Sequence, residues 1–356
     1  MHSAAYKSYA SEPMREEEGT VGEVFGYELV ARALKNEGAD TMFFIMGGPM
    51  LGAQDTCRKL GIRMIDVRHE QAAAMMANAY ARVRGKAAVC SAASGPATTN
   101  LITGVAHAYT DSAPIIALSG ASPISQFHSE AFQEIDQLSL MRPACKWAAQ
   151  AITAKRIPEY INMAYRQALT GRLGPAYLDL PGDVLYARVD EESVVWPQPA
   201  KTEHRIPGDP GLVKEAVDLL SRADRPLLIT GSGVLWSNAS EELQQFVDAT
   251  GIPFFTTPQG RGVVPDDHPR SFLSARNMAF QNADVVLFLG TRFNYVISHG
   301  QPPRFNPDAK VLQVNIDPAE IGKGRPVDVG IVGDAKTVLR QMLDLLQGEF
   351  DRLPKG

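Results

Sequence analysis

From residue 21 to residue 346 the chain repeats one pattern. A stretch with apolar residues at helical spacing alternates with a short run that is apolar almost throughout, and a turn of Gly, Pro or Ser separates them. Repeated units of this kind bury a mostly parallel sheet between two layers of helix. In the first half, residues 27–37, 71–83, 99–109 and 157–171 read as helices, and residues 41–46, 62–67, 87–92, 114–119 and 175–180 as strands. After a polar, proline-containing stretch the alternation restarts. Residues 211–221, 241–250 and 335–346 have the helical pattern, and residues 226–230, 283–289 and 311–316 the strand pattern. The expected fold is therefore α/β, with two consecutive doubly wound, mostly parallel-sheet domains at residues 21–190 and 211–346. A linker at 191–210, a flexible N-terminal arm at 1–20 and a C-terminal tail at 347–356 complete the expected organisation.

Composition narrows the partners. With 45% apolar and 21% charged residues, a chain of 356 residues can bury an ordinary core in each of two domains. A net charge of -5 provides no broad basic field, so neither nucleic acid nor an anionic membrane surface is an expected partner; small molecules are. The cysteines Cys57, Cys90 and Cys145 have no paired spacing, which predicts no disulfide scaffold and no metal site and fits a cytoplasmic location. No apolar run approaches the roughly 18 residues of a membrane span, and the first residues lack the apolar centre of a signal peptide.

Ligand sites in such sheets lie beyond the carboxyl ends of the strands. Three marked turns fall there: Met46-Gly47-Gly48-Pro49, Arg68-His69-Glu70 and Ser94-Gly95-Pro96. By position alone Glu70 is either a first-turn glutamate favoured by the helix dipole or a carboxylate placed for chemistry. The Ser94 turn is equally a plain strand-to-helix turn with Pro96 near the helix start. Phe132-Gln133-Glu134-Ile135-Asp136-Gln137, followed by Lys146, reads without further context as a solvated acidic loop. In the second half, Gly231-Ser232-Gly233 and Gly290-Thr291-Arg292 follow strands, where glycines serve either packing or phosphate binding.

Taken together and in order, these segments resemble the thiamine-diphosphate enzymes of the acetolactate synthase, 2-hydroxyacyl-CoA lyase and oxalyl-CoA decarboxylase superfamily. Arg68-His69-Glu70-Gln71-Ala72-Ala73-Ala74, running on to Ala79-Tyr80-Ala81-Arg82 and Gly85-Lys86, is similar to that family's pyrimidine-domain signature. The resemblance implies that Glu70 activates the cofactor through its aminopyrimidine ring. Ser94-Gly95-Pro96-Ala97-Thr98-Thr99-Asn100 resembles the turn beside the pyrimidine, with Ala97 in place of the usual glycine. It implies Gly47, Gly48, Pro49, Pro96 and Asn100 as further cofactor contacts. Gln133 is implied as a second catalytic group, and Met46, Phe132 and Lys146 as substrate-lining residues. Gly174-Pro175-Ala176-Tyr177-Leu178-Asp179-Leu180-Pro181-Gly182-Asp183 resembles the structural end of that domain.

The second half resembles the family's central domain, which in different members binds FAD, ADP or neither. A nucleotide would meet Gly231, Ser232, Gly233, Arg276, Arg292, Asp317 and Asp334. No Gly-Asp-Gly motif with a downstream asparagine occurs in the 356 residues, so the resemblance implies that the Mg2+ and diphosphate ligands come from a partner chain. The expected assembly is a symmetric hetero-oligomer with a smaller subunit. The loop at residues 44–50 and the stretch at 119–126 look more like the acyl-CoA lyase side of the superfamily. The implied function is a carbon–carbon lyase or carboligase acting on an acyl-CoA or 2-oxoacid, most like 2-hydroxyacyl-CoA lyase. The alternatives are acetolactate synthase-like condensation and a non-catalytic nucleotide-binding paralogue.

Overall fold

The computed structural model describes residues 22–200 and 205–346, so the expected arm and tail and part of the expected linker lie outside the described residues. In chain order the first half contains strands β1 (Glu23–Phe25), β2 (Thr41–Phe44), β3 (Arg63–Asp66), β4 (Ala88–Ala92), β5 (Ile115–Ala121), β6 (Trp147–Gln150), β7 (Ala176–Pro181) and β8 (Arg188–Asp190). Strands β2 to β7 form one sheet in the order β3-β2-β4-β5-β7-β6, with every pairing parallel. The registers align the strand ends, with Phe44 opposite Asp66 and Ser91, and Ala92 opposite Ser119. The turns after β2, β3, β4 and β5 consequently share one edge. The chain goes from β2 outward to β3 and then back past β2 to β4, so the crevice between the ends of β2 and β4 is the switch point where such sheets hold ligands.

Helix Glu70–Arg84 packs against helix Pro96–Asp111 through small residues. Ala73, Ala74, Ala77 and Ala81 are buried, and a Cβ on Gly104 would stand 2.5 Å from the Ala74 Cβ. This close approach holds the two helix starts, one carrying Glu70 and the other Asn100, side by side. The antiparallel pair β1–β8 joins the beginning of this unit to its end. Neither strand is evident from the sequence pattern, because three residues are too few for a period to show.

The second half contains β9 (Pro226–Thr230), β10 (Phe254–Thr256), β11 (Val285–Leu289), β12 (Lys310–Asn315) and β13 (Val329–Val332). They form a parallel sheet in the order β10-β9-β11-β12-β13, with its own switch point between β9 and β11. Apolar clusters cover both faces of each sheet. Among the described residues no helix is long and apolar enough to cross a membrane.

Candidate functional site

Glu70 is the first residue of its helix and follows β3 by a short turn. His69 caps the helix, its Nδ1 accepting the Gln71 N–H at 3.2 Å. Glu70 is only 9% exposed, and Asn100 Nδ2 donates to its Oε2 at 2.9 Å. Among the described residues no donor reaches the other carboxylate oxygen, Oε1. A carboxylate this buried, with one oxygen uncommitted, is suited to take an N–H from a bound ring.

Three small-residue turns surround it along the sheet edge. At Gly47 a Cβ would lie 2.7 Å from Ala93 Cβ, so this glycine allows the β2 and β4 turns to touch. Gly48 borders open space, and the Pro49 ring is seated on Gly120, where a Cβ would fall 2.2 Å from Pro49 Cδ. Pro49 is thus a packing residue that holds the loop, Gly47 permits its close approach to the next turn, and Gly48 leaves the edge open. Pro96 is exposed at the start of its helix, and Ala97 is accommodated on helical backbone beside the apolar cluster of that sheet face. The glycine that the geometry demands here is Gly95, which has φ +58 and would place a Cβ 2.3 Å from the Gln133 carbonyl oxygen.

Gln133, itself at φ +57, is therefore held directly over the Gly95 turn. Ser94 Oγ donates to its Oε1 at 3.0 Å, and among the described residues no acceptor takes its Nε2; the residue itself is exposed. Phe132 and Met46 stand at the rim, 83% and 70% exposed. Two residues of this loop system escape sequence reasoning. Gln137 is buried beneath it, and Asp179 is buried on β7; the two meet although they lie 42 positions apart in the chain. Burial raises the Asp179 carboxyl above its usual value, while hydrogen bonds from Gln150, Gln137 and Tyr177 oppose the shift.

One expected site residue is corrected. Lys146 precedes β6, so it sits at the amino edge of the sheet, opposite the edge that carries Glu70. Its ammonium donates to the carbonyls of Gln167 and Thr170 at the end of helix Ile157–Leu169. Burial, with Arg172 adding and Asp317 opposing, lowers its pKa to about 8. Lys146 is a helix-end cap and does not line the crevice.

The second switch point opens onto a cavity of about 780 Å3 between the two sheets' units. Ser232, Gly233, Arg292 and Asp334 line it, together with Thr110 and Asp111 from the end of helix Pro96–Asp111. Arg292 donates to the Thr110 carbonyl at 2.6 Å, and Gln259 Nε2 to Asp111 Oδ1 at 3.0 Å. The remaining expected nucleotide residues lie differently. Gly231 and Gly233 pack on the backbone of Gly290, where added Cβ atoms would approach it to 2.6 Å. Gly231 is therefore a packing glycine, while Gly233 both packs and lines the wall. Asp317 pairs with Arg172 at 3.6 Å and caps Ala319, and Arg276 lies over the Phe255 ring; neither is on the cavity wall. Asp334 reaches the wall but is already engaged by Arg205 at 2.9 Å.

Residues 25–140 match the family model "Thiamine pyrophosphate enzyme, N-terminal TPP binding domain", and residues 213–342 match "Thiamine pyrophosphate enzyme, central domain". The chain belongs to the thiamine pyrophosphate enzyme family. Glu70, Asn100 and Gln133 fall within the first matched region, and most of the cavity wall falls within the second. The chain is 41% identical over 333 residues to the probable acetolactate synthase large subunit of Methanocaldococcus jannaschii, covering 90% of the chain and 56% of the relative. It is 36% identical over 325 residues to 2-hydroxyacyl-CoA lyase of Oryza sativa subsp. japonica, covering 89% and 56% respectively. With 2-hydroxyacyl-CoA lyase 1 of Mus musculus it shares 33% identity over 332 residues, 93% of the chain and 56% of the relative. The chain thus spans little more than half the length of the curated relatives it matches.

Proposed function

We propose that this chain contributes the cofactor-activating half of a thiamine-diphosphate-dependent carbon–carbon lyase or carboligase, with 2-hydroxyacyl-CoA lyase-like chemistry. The observation that carries the reading is Glu70: nearly buried, held by Asn100 through Oε2, and with Oε1 uncommitted, at the sheet edge that also carries the Gly47-Gly48 turn. When bound, thiamine diphosphate supplies the electron sink for making or breaking a bond next to a carbonyl. Glu70 holds the pyrimidine end through Oε1 and exchanges a proton there, and the Gln133 amide donates into the reacting centre. Asn100 keeps the carboxylate from turning away. The diphosphate and its Mg2+ would be held by a diphosphate-binding segment of a partner chain. A smaller subunit carrying that segment, in a symmetric hetero-oligomer, is the arrangement we favour.

The 2-hydroxyacyl-CoA reading draws on the lyase relatives and on the loops at residues 44–50 and 119–126. The higher identity to the acetolactate synthase relative favours a second reading, condensation of 2-oxoacids. Incubating the active enzyme with a 2-hydroxyacyl-CoA, and separately with pyruvate, distinguishes them by mass spectrometry. Formyl-CoA with a carbonyl product is expected from the first incubation; acetolactate from pyruvate with an unchanged acyl-CoA would replace the lyase reading by the second.

We further propose that the cavity takes an adenine nucleotide, with the Ser232 end of the Gly231–Gly233 turn near phosphate and Asp334 toward the ribose or adenine. Saturating ADP, FAD and CoA are to be compared by calorimetry and thermal melting. One of them is expected to raise the melting temperature by about 3 °C or more, since a ligand at 100 times its Kd stabilises by about 2.7 kcal/mol. No heat and no shift with any of the three would remove the claim.

A further inference from the structure

Gln137 is 3% exposed, yet its amide is fully engaged. Its Oε1 accepts the Gly95 N–H at 2.8 Å, and the Thr98 hydroxyl lies 3.2 Å away, its proton shared with the Ala93 carbonyl at 3.1 Å. Its Nε2 donates to the Gly120 carbonyl at 2.8 Å and to Asp179 Oδ1. Asp179 is also reached by Tyr177 OH at 2.9 Å and by Gln150 Nε2 at 2.6 Å, on its second oxygen. A backbone carbonyl can only accept, and a backbone N–H can only donate. Placed on opposite sides of one amide, the Gly120 carbonyl and the Gly95 N–H leave Gln137 a single orientation, in which its Nε2 also meets Asp179.

What that orientation holds is the working edge of the site. Gly95 supports Gln133, whose backbone occupies the space a Cβ would fill. Thr98 lies in the first turn of the helix that carries Asn100, and Asn100 orients Glu70. The buried amide therefore acts on both groups assigned to the reaction through their supports, without touching either of them.

We propose that Gln137 is a positioning residue of the reaction: its amide, fixed by the Gly120 carbonyl and Asp179, sets the Gly95 turn and through it the place of Gln133 and of the Asn100–Glu70 pair. The inference rests on the functional reading above, but its structural half is testable without it. A displacement of about 1 Å at a reacting group can cost on the order of 100-fold in rate, whereas loss of an equally buried bond elsewhere in the network costs only stability.

Gln137→Met keeps the side-chain volume and removes the amide. Gln150→Leu removes a different donor to Asp179 and leaves the Gly95 bond in place. For each variant, amide hydrogen exchange is read at residue level on the chain without cofactor, alongside melting temperature, kcat and KM of the active enzyme. In Gln137→Met the Gly95 amide is expected to exchange at least about tenfold faster, as for loss of one hydrogen bond, and kcat to fall at least about tenfold with KM within about threefold. Gln150→Leu is expected to lower the melting temperature while leaving Gly95 exchange and kcat within about threefold. If Gln137→Met does not fold, Gln137→Asn, one methylene shorter, provides the same comparison. Unchanged Gly95 exchange in the Gln137 variant, or an equal loss of kcat in Gln150→Leu, overturns the proposal. Because the exchange is read without substrate or cofactor, its result stands even if the assigned reaction is wrong.

Discussion

Replacing Glu70 by glutamine is expected to leave the fold intact and to lower kcat of the active enzyme at least about 100-fold, equivalent to about 2.7 kcal/mol of barrier. The amide has nearly the shape of the carboxylate, and its oxygen can still accept from Asn100 Nδ2. Helix Glu70–Arg84 keeps its His69 cap and loses only a first-turn charge, worth about 0.3–1 kcal/mol. A stability change of that size is too small to account for the kinetic one. What the amide cannot do is take up and return a proton at Oε1. Circular dichroism and thermal melting alongside kcat separate the two effects; a variant that melts like wild type and turns over like wild type would falsify the assignment of Glu70. Absence of turnover in the wild-type enzyme with every acyl-CoA and 2-oxoacid tried would instead favour the non-catalytic reading.

The second large effect is expected at Gly95. Its φ of +58 with ψ of -115 belongs to a region that residues with a side chain avoid, at a cost of about 1–3 kcal/mol. The added Cβ would also lie 2.3 Å from the Gln133 carbonyl oxygen and 2.9 Å from its Cβ. One contact is to backbone, so a rotamer change cannot relieve it, and overpacking adds about 1–3 kcal/mol. Gly95→Ala should therefore lose about 2–6 kcal/mol in denaturant unfolding, with the loop at residues 131–136 displaced and turnover reduced. Gly48→Ala is the control, since a Cβ there meets nothing within 4 Å; its stability should stay within about 0.5 kcal/mol of wild type. Equal effects at the two glycines would show that the Gly95 contact has been misjudged.

These two residues also mark what can be read from a sequence. Glu70 and the Gly95 turn were legible because the information is local: an apolar strand, a short turn and a helix start, repeated along one sheet edge. The two parallel sheets follow from the same pattern, with β6, β10 and β13 the missing strands. Phe254–Thr256 is too short to show a period, and Gly330 interrupts Val329–Val332. The edge strand Trp147–Gln150 leaves no period in the sequence, and it is this strand that carries Lys146 to the opposite edge of the sheet from the loop it follows in the chain. Gln137 and Asp179 lie 42 positions apart and meet only after the sheet has formed, so nothing in either neighbourhood announces a buried pair. Gly231 shows the reverse limit: a glycine after a strand has the same appearance whether it faces a phosphate or, as here, the backbone of Gly290.

The most direct test of the account measures the rate at which thiamine diphosphate bound to the active enzyme exchanges its thiazolium C2 proton for deuterium, in wild type and in Glu70→Gln. It isolates the step assigned to Glu70 from substrate binding, from the identity of the substrate and from product release. The account predicts exchange at least about 100-fold slower in the variant, at unchanged melting temperature and cofactor occupancy. Equal exchange rates in the two proteins would contradict it.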